Sequence, residues 1–248
     1  LESRRHTDDL PTTIARVRWL LQDTVERQLV SDVPVCTLLS GGLDSSAITA
    51  FASRELARAG SGPLVTYSVD YVDNDRHFRA NRFQPDADSP WASKIASLFG
   101  TRHHTVFLDT HELVDALPVA LRARDFPGMV DIDASLYLFS RAVKRGATVA
   151  LAGECADEIF GGYPWCQDWA ASPNGTFPWL RLARERMRLL SPEILSPVQA
   201  EEYLADRYRE ALAEVPLLPG ESKFEARMRQ ILYLNITRWM PILLDRMD

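Results

Sequence analysis

Lysine is scarce in this chain. Of its 28 basic residues only Lys94, Lys144 and Lys223 are lysine, which leaves 28 − 3 = 25 arginines, a shortage that bears on the chemistry below. Cysteine is sparse too: Cys36, Cys155 and Cys166 are odd in number and lack metal-ligand spacing. That excludes a zinc or disulfide scaffold and fits a reducing compartment. Positive charge is not in excess, since 28 − 34 = −6, so a polyanionic nucleic acid is not the expected main partner. Long apolar runs are missing as well. No stretch approaches the roughly 20 residues that span a bilayer, and residues 1–10 (LESRRHTDDL) have no apolar core of the secretory type. The chain therefore reads as soluble, intracellular and cytoplasmic. What is present is ordinary for a globular protein: 46% hydrophobic, 25% charged and 9% aromatic residues over 248 positions. One large α/β domain, or a domain with an appendage, is expected.

Hydrophobic spacing supplies the organisation. After Pro11, Ile14, Val17, Leu21, Val25 and Leu29 fall on one helical face. Residues 33–39 (VPVCTLL) form a short, nearly continuous apolar run, the pattern of a strand buried on both faces. The run breaks at Ser40, Gly41 and Gly42, and residues 45–59 then read as a helix stopped by Gly60. A strand at 64–69, a polar loop at 70–90, a helix at 91–99 and a strand at 105–108 follow. Helices at 110–122 and 135–145 precede another buried strand at 147–151. This alternation predicts an α/β fold with a parallel sheet and helices on both faces. From Tyr163 the strand pattern disappears, and segments 179–190, 197–212 and 224–244 predict an all-helical last part.

Ligands of open parallel sheets bind at the carboxyl ends of the strands, and two such ends carry unusual turns. The first is Ser40-Gly41-Gly42-Leu43-Asp44-Ser45-Ser46. Its glycines let backbone N–H groups approach an anion, the next helix offers its positive end, and the three serines add hydroxyls. These groups suit phosphate or pyrophosphate, and Asp44 supplies a carboxylate for Mg²⁺. The plainer alternative is a Gly-Gly turn capped by Ser46 or Asp44. The Lys-Ser/Thr ending of a Walker loop is absent. The second turn runs AGECADEIFGGY over residues 152–163. Glu154, Asp157 and Glu158 crowd three carboxylates into five residues, costly unless cations or ligand ammonium groups compensate. Alternatively they are first-turn acids that complement a helix dipole.

SGGLDSS resembles the PP-loop of ATP pyrophosphatases. Paired with AGECADEIFGGYPW, it is similar to the synthetase domain of glutamine-hydrolysing asparagine synthetases. The segments LVSDVPVCTLLSGGLDSS, FQPDADSPWASKIASLFGTRHH and RWMPILLDRMD agree, so the likeness covers nearly the whole chain. It implies an ATP-binding core over about 12–165 and a helical part over about 166–248. Ser40, Gly41, Gly42, Asp44, Ser45 and Ser46 would hold the ATP pyrophosphate, with Asp44 on Mg²⁺. Leu39 and Val69 would contact the adenosine, with Ala152 and Gly153 at the nucleotide. Glu154 matches the glutamate linked to the aspartyl-AMP intermediate, and Asp157 the carboxylate that receives the substrate ammonium. The implied reaction is aspartate adenylation, then displacement of AMP by ammonia derived from glutamine.

The likeness has departures. Ala152 replaces a common serine and Cys155 a common glycine. Cys155 is read as a packing residue, because its neighbours are acids rather than the cations a thiolate needs. The amino-terminal catalytic cysteine of a glutaminase domain and the later catalytic lysine of the family have no counterpart, so the chain is expected to be part of a longer protein, with a homodimer among the expected assemblies. The readings left open beside asparagine synthesis are a related adenylating enzyme, such as a β-lactam synthetase or a lasso-peptide cyclase, and a nucleotide-binding module without activity of its own. His103 and His104 are expected in a surface or supporting role, and the loop at 70–90 is expected to border the aspartate site.

Overall fold

The computed structural model describes residues 2–247 apart from 83, 126, 127, 172–174 and 181. Residue 83 of the expected loop and residue 181 of the expected helix at 179–190 thus lie outside the described residues. The chain forms two compact units, Asp8–Gly153 and Leu1–Thr7 with Glu154–Asp248.

The unit Asp8–Gly153 begins with α1 (Leu10–Gln28), whose N-cap Asp9 accepts a hydrogen bond from the Thr12 N–H at 2.9 Å. β1 (Val35–Leu38), α2 (Leu43–Ala59) and β2 (Val65–Tyr71) follow. Next come α3 (Asn74–His77), α4 (Asp88–Phe99), β3 (Arg102–Leu108), α5 (Thr110–Arg124), α6 (Val130–Val143) and β4 (Val149–Leu151). All pairings are parallel and the order is β3-β2-β1-β4. Cys36 stands opposite Val65 on one side and Ala150 on the other. The chain winds outward from β1 through β2 to β3, then returns to place β4 on the opposite side of β1. That reversal is a topological switch point, where open parallel sheets leave a crevice beyond their strand ends.

Strand alternation sends side chains to two covered faces. Cys36 and Tyr67 pack with Phe139, Val143 and Ala147 on one. Val25, Ala52, Leu64 and Leu151 pack together on the other, with Val35, Ile48 and Phe51 around them. The second face also buries hydroxyls in pairs: Thr37 and Thr49, both fully buried, share a hydrogen bond of 3.0 Å. The expected stripe of α1 is only partly used. Val25 and Leu29 pack inward, whereas Ile14 and Val17 are 59% and 39% exposed.

In the other unit every element among the described residues is helical. α7 (Ala156–Phe160) and α8 (Pro164–Ala171) precede a 3₁₀ turn at Pro178–Leu180, followed by α9 (Ala183–Met187), α10 (Pro192–Val198) and α11 (Ala200–Ala213). α12 (Lys223–Leu234) runs through a π-helical turn, Asn235–Trp239, into α13 (Met240–Met247). Cys166, Trp169, Phe177, Tyr208, Ala211, Ile231 and Leu234 make its core. The expected helix at 179–190 is replaced by the 3₁₀ turn and α9. The one expected from Pro197 is cut after Val198, where Gln199 takes a left-handed φ of 46° between α10 and α11. Among the described residues, no helix is long and apolar enough to cross a membrane.

Candidate functional site

The loop after β1 is shaped by its own backbone and hydroxyls. The buried Leu39 donates its N–H to the Tyr67 carbonyl at 2.7 Å, which ties the loop's first residue to β2. Ser40 Oγ lies 3.0 Å from Ser45 Oγ and accepts from the Gly42 N–H at 3.3 Å, while Ser45 Oγ donates to the Gly42 carbonyl at 3.3 Å. Two of the three serine hydroxyls therefore hold the turn. Ser46 Oγ is buried and has no hydrogen-bond partner among the described residues. Gly41 has φ 86°, and a Cβ there would stand 2.5 Å from both the Ala92 nitrogen and Trp91 Cβ. No other residue fits that position without moving backbone. Gly42 caps α2 without a side-chain hydrogen bond, so no N-cap side chain covers the start of α2, and the one side chain that turns onto a first-turn N–H is the Asp44 carboxyl, onto its own. A helix start left open in this way attracts anions.

Asp44 stands in that first turn, half-buried, and burial pushes its carboxyl above the usual carboxylate range, against a smaller opposing pull from its own backbone N–H. Ala152 and Gly153 follow β4. A Cβ on Gly153 would lie 3.0 Å from Asp44 Cβ and 3.2 Å from the Ser45 nitrogen, so the end of β4 packs directly on the start of α2. The fold thus brings residues 39–46 together with residues 152 and 153 at the switch point. Val69 is paired with Val106 in β2 and packs on the α6 side of the sheet.

One cluster carries no motif in the sequence, where the loop at 70–90 is expected only to border the aspartate site. Asp70, beside Val69, accepts from Asn74 Nδ2 at 2.7 Å and from the Tyr71 N–H at 2.8 Å, and Ser89 Oγ donates to its other oxygen. Burial raises the carboxyl of Asp88; the Gln84 amide opposes this, and the Asp70 charge adds to it. The loop is consequently more ordered than its polarity suggests, with β2 extending to Tyr71, α3 inside it and α4 starting at Asp88. His103 is held from both ring nitrogens, Nδ1 at 2.8 Å from Thr66 Oγ1 and Nε2 at 3.1 Å from Ser68 Oγ. Burial lowers its pKa, with His104 adding to the effect. That makes it a supporting residue of the sheet.

The second motif opens the other unit. Glu154 is exposed in a turn, and Asp157 is half-exposed in the first turn of α7. Cys155 is buried and takes a left-handed φ of 73°. That conformation is the physical reason a glycine suits this position, and cysteine holds it at a backbone cost of roughly 1–2 kcal/mol. Gly161 and Gly162 donate to the Asp157 carbonyl at 2.8 and 3.1 Å. A Cβ on Gly162 would fall 1.9 Å from Asp157 Oδ1. Glu158 is the acid whose role the pattern hid. It is completely buried, and its Oε1 accepts from the Tyr163 hydroxyl at 2.5 Å. Burial first, then this hydrogen bond, pushes the Tyr163 hydroxyl pKa up, and its ring stacks on Trp165 at 4.1 Å. Glu158 and Tyr163 therefore pin α7 to its following turn, whereas Glu154 stays in solvent.

Chemically, the loop of the first unit can bind phosphate oxygens, and the turn of the second offers two accessible carboxylates. Comparison with known proteins places the chain in a family. The family model described as asparagine synthase matches residues 16–248. Over all 248 residues the chain is 50% identical to glutamine-hydrolyzing asparagine synthetase 3 of Bacillus subtilis (strain 168), of which it spans 40%. It is 34% identical over 158 residues to the glutamine-hydrolyzing asparagine synthetase B of Escherichia coli (strain K12), covering 59% of this chain and 26% of the relative. With glutamine-hydrolyzing asparagine synthetase 1 of Saccharomyces cerevisiae it shares 33% over 172 residues, 62% of this chain and 30% of the relative. The chain belongs to the asparagine synthase family.

Proposed function

We propose that this chain is the ATP-dependent, amide-forming part of a glutamine-hydrolysing asparagine synthetase. The observation that carries the reading is the open helix start at the switch point, built from residues 39–46 and closed on one side by Gly153. The aspartate β-carboxylate is a poor electrophile. Its oxygen attacks the α-phosphorus of ATP, a new O–P bond forms, and pyrophosphate leaves with the electrons of the broken P–O bond. Ammonia then attacks the acyl carbon of aspartyl-AMP, AMP leaves with the bridging oxygen, and the nitrogen loses a proton to give asparagine. Orientation and charge neutralisation supply most of such barrier lowering.

The chain's own residues divide this work. The first-turn N–H groups of α2 and the Ser46 hydroxyl take phosphate oxygens, Leu39 and Val69 border the adenosine, and Ala152 and Gly153 flank the nucleotide. Asp44 fits a hard cation, because a half-buried carboxyl raised by burial regains its charge most readily beside one. Magnesium held there with the nucleotide supplies neutralisation of the phosphate charge. Glu154 serves formation and use of the acyl-adenylate, and Asp157 receives the aspartate ammonium, both by motif resemblance. On this reading the functional core covers about 12–165, with a helical part over about 166–248. Ammonia comes from a glutaminase domain of the longer protein, which is a cytoplasmic homodimer.

Isotope exchange between ATP and pyrophosphate, measured on the full-length protein with a panel of carboxylic acids, tests this. Exchange that requires both aspartate and Mg²⁺ is expected. Exchange driven only by another acid would transfer the site to a related adenylating enzyme.

A further inference from the structure

We infer that Lys94, which the motif resemblance leaves without a role, binds the pyrophosphate end of the nucleotide from the α4 side of the loop. The inference rests on the proposed adenylation and adds a residue to it. Gly41 is the most confined glycine of the loop, and what confines it is the first turn of α4, through the Ala92 nitrogen and Trp91 Cβ. Trp91 is therefore a wall of the loop, and 45% of it is exposed. Lys94 stands three residues further on, on the same helical face. Its Nζ lies over the Trp91 ring, 5.0 Å from the centroid. Helical side chains lean toward the N-terminus of their helix, so this lysine carries its ammonium back toward the turn that touches Gly41.

Chemistry favours the same assignment. Among the described residues the ammonium has no carboxylate partner, and the exposed aromatic ring is its contact. A cation–π contact at an exposed site is weaker than a charge-assisted bond to phosphate. The ammonium can therefore leave the ring when pyrophosphate arrives. Asp88 stands in the first turn of α4 and Asp70 accepts from Ser89 of the same turn, so a polyphosphate bound beside these acids gains from a nearby cation. Trp91 on this view keeps a flexible lysine close to the loop in the unliganded state.

Titration calorimetry of the full-length protein with inorganic pyrophosphate and Mg²⁺ tests the inference directly. Lys94→Met is expected to weaken binding by about tenfold, the loss of one phosphate contact. It should also flatten the dependence of affinity on salt, while leaving the melting temperature unchanged. Lys94→Arg, which keeps the charge, is expected to remain close to the parent. Equal affinity and equal salt dependence in Lys94→Met would overturn the inference, as would absence of pyrophosphate binding by the unmodified protein. Binding lost in Lys94→Met without any aspartate-dependent exchange in the parent would uphold the lysine and overturn the adenylation reading instead.

Discussion

The two motifs reach order by opposite means. Residues 39–46 leave groups open: no N-cap side chain caps α2, Ser46 Oγ has no partner among the described residues, and the decisive position is Gly41, where a Cβ cannot fit. Residues 154–163 close on themselves. A fully buried Glu158 holds Tyr163, Asp157 collects two N–H groups on its carbonyl, and of the three acids Glu154 is the exposed one. The loop is specified by missing side chains, whereas the turn is specified by a carboxyl placed inside it.

Substitutions can break that contrast, and the largest effect should come from the acids assigned to the reaction. Asp44→Ala or Glu154→Ala is expected to lower aspartate-dependent exchange by a hundredfold or more, about 3 kcal/mol of transition-state stabilisation, with unchanged thermal unfolding. Retained exchange in either would remove that residue from the site. Gly41→Ala should come next, costing about 2–3 kcal/mol because it combines a left-handed φ with a clash against helix backbone. Denaturant midpoints measure it, and a neutral outcome would show that α4 gives way. Tyr163→Phe leaves Glu158 without its hydroxyl donor and is expected to cost about 1–3 kcal/mol. It should leave pyrophosphate binding unchanged; weakened binding would mean that the turn acts on the loop. The smallest effect concerns His103. Burial lowers its pKa below the ordinary value, so the unfolded chain binds the proton more readily and the stability contribution is lost as pH falls through that ordinary value, about 6.5. Between about pH 7.5 and pH 5 the parent should lose denaturant resistance more steeply than His103→Gln. Parallel profiles would contradict this.

Legibility in the sequence follows the same divide. β1 and its loop were readable because an apolar run meets a glycine pair, and the sheet followed from alternation. Boundaries slipped where packing carries no signal: α2 begins at Leu43, which is 84% exposed, and β4 is confined to Val149–Leu151 because Ala147 serves the α6 cluster. The helical unit is less legible. Its breaks come from Pro178 opening a 3₁₀ turn and from a left-handed Gln199, which is neither glycine nor asparagine. Burial of Glu158 was illegible, since an acid in a helix's first turn satisfies the dipole rule equally well in solvent. The polar loop at 70–90 concealed order because Asp70, Asn74 and Ser89 bond one another across sequence distance.

The acyl-adenylate itself is the most direct target. Aspartate labelled with ¹⁸O in its β-carboxylate, supplied to the full-length protein with ATP, Mg²⁺ and ammonium, should yield AMP carrying one ¹⁸O, and Asp44→Ala should yield none. Asparagine formed with unlabelled AMP, the isotope appearing instead in inorganic phosphate, would contradict attack on the α-phosphorus and with it the function assigned to the loop.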